Sequence, residues 1–169
     1  MVLFGPRQKQ FDQTVRAYGA DLYRFAYWLC RDRFVAEDLV QETFARAWNS
    51  WEHLKDATAV KSWLITILRN EHARLYERKN LDYSDMPVED IDIAQDNEPS
   101  SQMELEQLVE ALPLTLREPL VMQVLGGFSC EEIARMLETT EGAVMTRLTR
   151  ARQALRQHLS AAENRRVLS

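Results

Sequence analysis

Residues 129–156, SCEEIARMLETTEGAVMTRLTRARQALR, contain the patterns of two short amphipathic helices in succession. Ser129 and Glu132 form a Ser-x-x-Glu capping box, which predicts that the first helix begins there. The second helix is predicted to begin near Glu141. Apolar residues recur along it at spacings of three and four and predict its buried side, which is formed by Val144, Leu148, Ala151 and Leu155.

The opposite side of the second helix carries mostly polar and basic residues. They are predicted to face outward, and comprise Met145, Thr146, Thr149, Arg150 and Gln153. Two helices in this order match a helix-turn-helix, whose second helix lies in the DNA major groove while basic side chains bind phosphates. An ordinary helical hairpin with a solvated basic side remains an alternative from these residues alone.

The whole composition favours helices. The chain has 169 residues, 46% of them hydrophobic, with only five glycines and five prolines. We find no alternation of apolar and β-branched residues that would indicate strands. The length allows one large core or two small ones. The sequence therefore predicts an all-α protein with two small helical domains.

The residues that usually form metal, disulfide or catalytic sites are few and scattered. Cys30 and Cys130 are 100 residues apart and have no neighbouring ligand pattern, and His53, His72 and His158 have no triad spacing. The chain also lacks a phosphate-binding glycine loop and an apolar run of about 18 residues. We therefore expect no enzyme activity, no cofactor and no metal, two buried or free thiols, and a cytoplasmic location.

Charge is distributed unevenly along the chain, although the net charge is −5. Residues 1–81 and 111–169 are each slightly basic, whereas residues 82–110 hold ten acidic residues and no basic one. The segment 82–100, DYSDMPVEDIDIAQDNEPS, has little helical periodicity and predicts an extended acidic linker between the domains. A tether that only improves solubility is the alternative.

The C-terminal domain is predicted to begin near residue 101 and to contain four helices. Thr115 and Glu118 form a second capping-box pattern, and Gly126 and Gly127 predict the end of that helix. Apolar residues of the first two helices would cover the helix-turn-helix pair, namely Leu108, Leu112, Leu116, Leu120, Val121 and Val124.

The N-terminal 81 residues predict three helices around a core rich in aromatic residues. Apolar stripes run from Phe11 to Leu29, from Val35 to Trp51, and from Val60 into a helix that ends at about Lys79.

The second of these helices has an outward side formed by Asp38, Gln41, Glu42 and Ala45. Asp38 and Glu42 are like charges one turn apart, which mildly destabilises a helix. A binding partner would explain that cost. Glu42 could equally pair with Arg46 four residues on, in which case the side is simply solvated.

Two segments resemble the extracytoplasmic-function sigma factors of bacterial RNA polymerase. Residues 38–44, DLVQETF, resemble the segment that binds core polymerase, and KSWLITILRNEHARLYERK resembles the segment that follows it. In the C-terminal part, Leu112-Pro113, residues 129–134 and residues 142–152 match the pattern of the same family in the same order.

The resemblance implies three regions. Residues 1–81 would bind core polymerase and recognise and melt the minus-10 element, residues 82–100 would form the acidic linker, and residues 101–169 would recognise the minus-35 element. The implied partners are core RNA polymerase, at its β′ clamp and β flap, promoter DNA and an anti-sigma factor. In related factors the linker passes through the RNA exit region of the polymerase.

The resemblance also implies site residues. Core-polymerase binding would involve Asp38, Gln41 and Glu42. The loop from Leu54 to Ala59 matches the position of a loop that captures a base flipped from the minus-10 element; such a pocket offsets the cost of unstacking the base. The implied minus-10 residues are Leu54, Lys55, Thr58, Lys61, Asn70 and Arg74, with Arg69, Arg78 and Lys79 as further cations. The implied minus-35 residues are Met145, Thr146, Arg147, Thr149, Arg150 and Arg152.

Three positions depart from the pattern of the family. Glu138 stands where the turn usually has glycine, so either the turn has another shape or a left-handed residue costs about 1 kcal/mol. Met145 stands where a basic residue is common, which predicts an unusual minus-35 preference. Asp56 stands where glycine is frequent, which leaves the base preference of the minus-10 loop open. A helix-turn-helix regulator that binds DNA without polymerase is the rival function.

Overall fold

The computed structural model describes residues 5–82 and 101–168, and within these ranges the side chains of residues 5–78 and 105–168. The chain divides into two compact units, residues 1–84 and 85–169. All regular structure in the described ranges is helical, which confirms the all-α prediction. Apart from Asp82, whose backbone is helical, the predicted linker 82–100 lies outside what is described, as do the side chains of Lys79, Ser101 and Glu104.

Three long helices form the N-terminal unit: α1 (Pro6–Cys30), α2 (Arg33–Asn49) and α3 (Val60–Asp82). Pro6 starts α1, where its missing N–H has no helical partner to lose. Between α1 and α2, Arg31 adopts a left-handed conformation (φ 54°), and the Asp32 carboxylate caps α2 by accepting from the backbone N–H groups of Phe34 and Val35. A sharp turn thus sets α2 against α1.

The core of this unit combines aliphatic layers with an aromatic cluster. The buried apolar side chains are Leu22, Phe25, Ala26, Leu29, Ala36, Leu39, Ala47, Val60, Leu64, Ile65 and Leu68. The ring of Phe11 makes edge contacts with Phe44, Trp48 and Trp51, and Trp51 makes one with Trp63. Such contacts join α1, α2 and α3 at one end of the bundle.

Four helices lie in the described part of the C-terminal unit: α4 (Ser101–Ala111), α5 (Leu114–Val124), α6 (Cys130–Met136) and α7 (Glu141–Leu168). Its small core is formed by Val109, Leu112, Leu120, Val121, Met122, Phe128, Ile133, Ala134, Val144, Leu148 and Ala151. The predicted buried side of α7 is confirmed for Val144, Leu148 and Ala151, whereas Leu155 is half-buried.

Two adjacent glycines end α5, as predicted, and each has its own reason. Gly127 is left-handed (φ 68°), a conformation that costs glycine little. A Cβ on Gly126 would lie 2.5 Å from the ring of Phe128 and 2.6 Å from the carbonyl oxygen of Met122. Phe128 can therefore fold back over the end of α5 only because residue 126 has no side chain.

Several boundary predictions were wrong. Thr115 does not cap α5, because the helix already begins at Leu114 with Pro113 at its N-cap, and Glu118 is buried instead. Val124 does not belong to the core, since 68% of it is exposed. Trp51 lies in a separate 3-10 helix (Trp51–His53) beyond the end of α2. Helix α3 extends to Asp82 rather than to about residue 79.

Candidate functional site

The outward side of α2 has the composition that the sequence predicts. Asp38, Gln41, Glu42 and Ala45 are all exposed, because the buried residues Leu39, Thr43 and Ala47 occupy the opposite side. Thr43 is accommodated in the core since its hydroxyl donates to the carbonyl of Leu39 at 2.6 Å. The side is therefore acidic and accessible.

A row of alternating charges runs from this side of α2 to α3. The Nε atom of Arg46 lies 3.0 Å from Glu42 Oε1 and 2.6 Å from Glu71 Oε1. Glu71 Oε1 in turn lies 3.1 Å from Arg74 Nη1. The pairing of Glu42 with Arg46 is confirmed. No local pattern indicates that Glu71, which is 8% exposed, joins the row from α3. The row fixes Arg74, a predicted DNA-contacting residue, beside Glu71.

The segment between α2 and α3 forms a structured loop. Its last part is a 3-10 helix (Ala57–Ala59), and the Asp56 carboxylate caps it by accepting from the Thr58 backbone N–H at 2.9 Å and from the Thr58 hydroxyl at 2.7 Å. These two bonds lower the pKa of Asp56 below its ordinary value of 3.8. Asp56 is therefore a carboxylate at neutral pH.

A cavity of about 380 Å³ opens beside this loop. It is lined by residues 53–56 and by Ala59, Ser62, Trp63 and Thr66. Leu54 and Lys55, two predicted minus-10 residues, belong to its lining, and Thr58 is exposed next to it.

The remaining predicted minus-10 residues lie on α3. Asn70 and Arg74 are exposed one turn apart, and Lys61 is half-buried in the first turn. The Asn70 side-chain oxygen accepts from Arg69 Nη1 at 3.3 Å. Arg78 is exposed in the following turn. These residues form a polar and mostly basic strip along α3.

The helix-turn-helix prediction is confirmed in its geometry. Ser129 and Glu132 make both bonds of the capping box at the start of α6, and the Thr140 hydroxyl accepts from the Ala143 N–H at the start of α7. Glu138 in the turn is left-handed (φ 52°). The chain therefore retains the left-handed turn and bears the cost of a non-glycine residue.

The outward side of α7 presents two hydroxyls between longer side chains. Thr146 donates its hydroxyl hydrogen to the carbonyl of Gly142, and Thr149 donates to the carbonyl of Met145. Their methyl groups and oxygen lone pairs remain available to a ligand. Met145, 53% exposed, and Arg150 flank them.

The other two predicted arginines of α7 are placed differently. Arg147 is half-buried. Arg152 is exposed and hydrogen-bonds through Nη2 to the Gln123 side-chain oxygen of α5, so it also joins two helices of the unit.

One exposed feature has no counterpart in the sequence prediction. Phe34, at the start of α2, is 77% exposed. Nearby in sequence, the Arg31 guanidinium lies 4.4 Å from the ring centroid of Tyr27 and 5.0 Å from that of Trp28. Its signal in the sequence was a bulky apolar residue two positions after the N-cap Asp32.

Both cysteines are half-buried and outside any disulfide, and the Cys30 thiol donates to the carbonyl of Asp32 at 3.3 Å. No group of three or more His, Cys, Asp or Glu side chains that could hold a metal occurs among the described residues. In the same ranges, no helix is sufficiently long and apolar to span a membrane.

Comparison with protein families identifies the two units. Residues 14–81 match sigma-70 region 2, and residues 102–155 match sigma-70 region 4. The chain is thus a member of the sigma-70 family, with both regions in one chain.

Individual relatives narrow this assignment. The chain is 32% identical over 159 residues to the ECF RNA polymerase sigma factor SigE of Mycolicibacterium smegmatis, covering 89% of this chain and 62% of that protein. It is 30% identical over 155 residues to the ECF RNA polymerase sigma factor SigM of Bacillus subtilis, covering 86% and 92%. The protein belongs to the ECF sigma factors.

Similarity to solved structures agrees with the assignment to the sigma factors. The sigma factor RpoE of Bartonella quintana, crystallised with the anti-sigma factor NepR, has a TM-score of 0.75 at 28% identity, covering 90% of this chain and 98% of that one. CnrH, in complex with the cytosolic domain of CnrY, has a TM-score of 0.69 at 25% identity, covering 91% and 90%.

Proposed function

We propose that this protein is an alternative sigma factor that binds core RNA polymerase in the cytoplasm and directs initiation at promoters with its own minus-10 and minus-35 elements. The observation that carries this proposal is the combination, in one chain, of an acidic side of α2, a loop cavity and a separate helix-turn-helix unit. A regulator that binds DNA without polymerase needs only the helix-turn-helix unit.

The N-terminal unit would supply polymerase binding and minus-10 recognition. Asp38, Gln41 and Glu42 project from one accessible side of α2 and suit a basic surface of the β′ clamp. The cavity would receive a base flipped from the minus-10 element, and Lys61, Asn70 and Arg74 would contact the strand along α3.

The C-terminal unit would read the minus-35 element with α7. Its six proposed contacts are Met145, Thr146, Arg147, Thr149, Arg150 and Arg152. Arginines there would mainly bind phosphates, whereas Met145 and the two threonines would determine base preference. Met145 cannot donate a hydrogen bond, so it favours apolar contacts such as a thymine methyl group.

Two further interactions complete the proposal, one with an anti-sigma factor and one with the polymerase. An anti-sigma factor would hold the protein inactive, in line with the complex of RpoE with NepR. The acidic residues of segment 82–100 would bind a basic channel of the polymerase, and replacing several of them by Asn and Ser should weaken core binding in a salt-dependent way.

The decisive experiment adds the full chain to core RNA polymerase and a promoter library, and maps transcript starts. New, sequence-specific starts are expected; DNA binding without new starts would instead identify a regulator. The Asp38→Arg variant should reduce affinity for core polymerase about tenfold, because it reverses a charge on the proposed contact side. The matched control is Glu77→Arg, an exposed residue of α3 outside the proposed contacts, which should bind like the wild type.

A further inference from the structure

Two hydroxyl groups that line the loop cavity, those of Ser62 and Thr66, have no hydrogen left to donate to a ligand. Ser62 donates its hydroxyl hydrogen to the carbonyl of Ala59 at 3.0 Å, and Thr66 donates to the carbonyl of Ser62 at 2.7 Å. Each hydroxyl has a single hydrogen, which these bonds already use. The two oxygens can therefore only accept hydrogen bonds from a ligand.

Asp56 strengthens this acceptor character. Its Oδ1 already accepts two bonds from Thr58, and these bonds hold the carboxylate in one orientation. The other oxygen, Oδ2, is left as an acceptor for a ligand. Because the group stays ionised at neutral pH, it has no proton to donate there.

The four DNA bases differ in what they offer such a surface. Cytosine, adenine and guanine each carry an exocyclic amino group, which is a donor, whereas thymine carries none and presents carbonyl oxygens on both sides of its N3–H. A carboxylate would accept a hydrogen bond from an amino group and would repel a carbonyl oxygen.

We propose that Asp56 makes the cavity select a base with an exocyclic amino group and reject thymine. This inference rests on the proposed function, in which the cavity receives a flipped minus-10 base, and it names the determinant of which base is accepted. Lys55, also in the lining, supplies a donor for the unprotonated ring nitrogen that flanks the amino group in these bases. Trp63 supplies an aromatic surface.

The substitution Asp56→Asn tests the role of the carboxylate without removing the loop cap. The amide oxygen must still accept from the Thr58 N–H and hydroxyl, so the amide NH₂ group takes the place of Oδ2 and presents a donor to the cavity. Thymine, with its carbonyl oxygens, then becomes acceptable.

The experiment measures transcription by the full chain with core RNA polymerase on promoters randomised across the minus-10 element, for wild type, Asp56→Asn and Glu52→Gln. The control removes an equal charge close in sequence, at a residue that pairs with Arg7 and does not line the cavity. Tryptophan fluorescence on heating checks that each variant folds.

At one minus-10 position, wild type and control should initiate about five- to tenfold less with thymine than with the best amino-bearing base. The Asp56→Asn variant should bring thymine to within about twofold of that base. Normal initiation with an unchanged base preference in Asp56→Asn, or a wild type that prefers thymine, would overturn the inference. Absence of initiation by the wild type on every promoter would instead overturn the proposed function, and this inference with it.

Discussion

The two units of this protein are stabilised in different ways. In the N-terminal unit, long helices bury aliphatic layers, an aromatic cluster and a partly buried row of charges. In the C-terminal unit, the short helices α5 and α6 are held in place at their ends, through the Ser129 capping box, the Gly126-Gly127 turn and the left-handed Glu138. A side-chain core tolerates changes in the backbone of a loop, whereas a unit built on helix ends depends on the conformation of single residues.

The unfolding of the two units can be followed with different spectroscopic signals. All four tryptophans, Trp28, Trp48, Trp51 and Trp63, lie in the N-terminal unit. Tryptophan fluorescence therefore follows the unfolding of that unit, while far-ultraviolet circular dichroism follows both. The stability changes expected for substitutions in either unit are measured with the two signals together.

The largest effect is expected for Leu68→Ala in the N-terminal unit. Leu68 is fully buried on α3, and its truncation removes transfer free energy and leaves a cavity, so the free energy of unfolding should fall by about 2–5 kcal/mol. The fluorescence midpoint should move to lower denaturant while the remaining dichroism step stays in place. If both signals shift together, the units do not unfold independently.

A smaller loss is expected for Gly126→Ala in the C-terminal unit. The new Cβ would meet the Phe128 ring and the Met122 carbonyl oxygen, and such overpacking costs about 1–3 kcal/mol. Only the dichroism signal should move. The control is Gly142→Ala, where a Cβ meets nothing within 4 Å inside α7; it should stabilise the unit by about 0.5–1 kcal/mol.

Much of the fold follows from local patterns in the sequence, and the exceptions have physical reasons. The capping box at Ser129 and the apolar stripe of α7 are local, so they were predicted correctly. The start of α5 was not, since Pro113 (φ −53°, ψ 145°) already provides an N-cap backbone conformation before Thr115. Val124 has the right spacing for the core, but it lies in the last turn of α5, where the chain leaves that core.

The site was predictable only in part for the same reason. The exposed side of α2 follows from helical periodicity. Glu71 meets Arg46 through the packing of α3 on α2, which no local pattern encodes. Thr58 donates to Asp56 only in the folded loop, and the directions of the Ser62 and Thr66 hydroxyls determine which hydrogen bonds the cavity can make. Both features depend on the three-dimensional structure and on no local pattern.

A stability loss of intermediate size is expected when a carboxylate charge is removed from the more buried ion pairs of the N-terminal unit. Glu71→Gln removes the charge that pairs with Arg46 and Arg74, and we expect the N-terminal unit to lose about 1 kcal/mol, since Glu71 is buried but both arginines are partly exposed. The matched control is Glu131→Gln in the C-terminal unit, whose partner Arg135 is 3.6 Å away with both side chains at least 70% exposed. It should change stability by less than about 0.5 kcal/mol. Equal losses of stability in Glu71→Gln and Glu131→Gln would contradict this difference between the two units.

The smallest effect concerns pH. The folded-state pKa of Asp56 is lowered by its bonds to Thr58, so its contribution to stability is fully present above the ordinary value of 3.8 and is lost as pH falls through the lower folded value. The Thr58→Val variant should raise this pKa toward 3.8, as measured by carboxyl NMR titration. An unchanged pKa would show that the backbone bond alone is responsible. In the C-terminal unit the Ser129 cap is a hydroxyl, which does not titrate in this range.

The two threonines of α7 also affect how much conformational entropy is lost when a ligand binds. Thr146 and Thr149 each donate to a carbonyl one turn back, which fixes their only side-chain rotation before any ligand arrives. A molecule that docks on this side of α7 therefore loses little conformational entropy at these two positions. The entropic cost of binding falls instead on Met145 and Arg150, whose long side chains have many rotamers to lose.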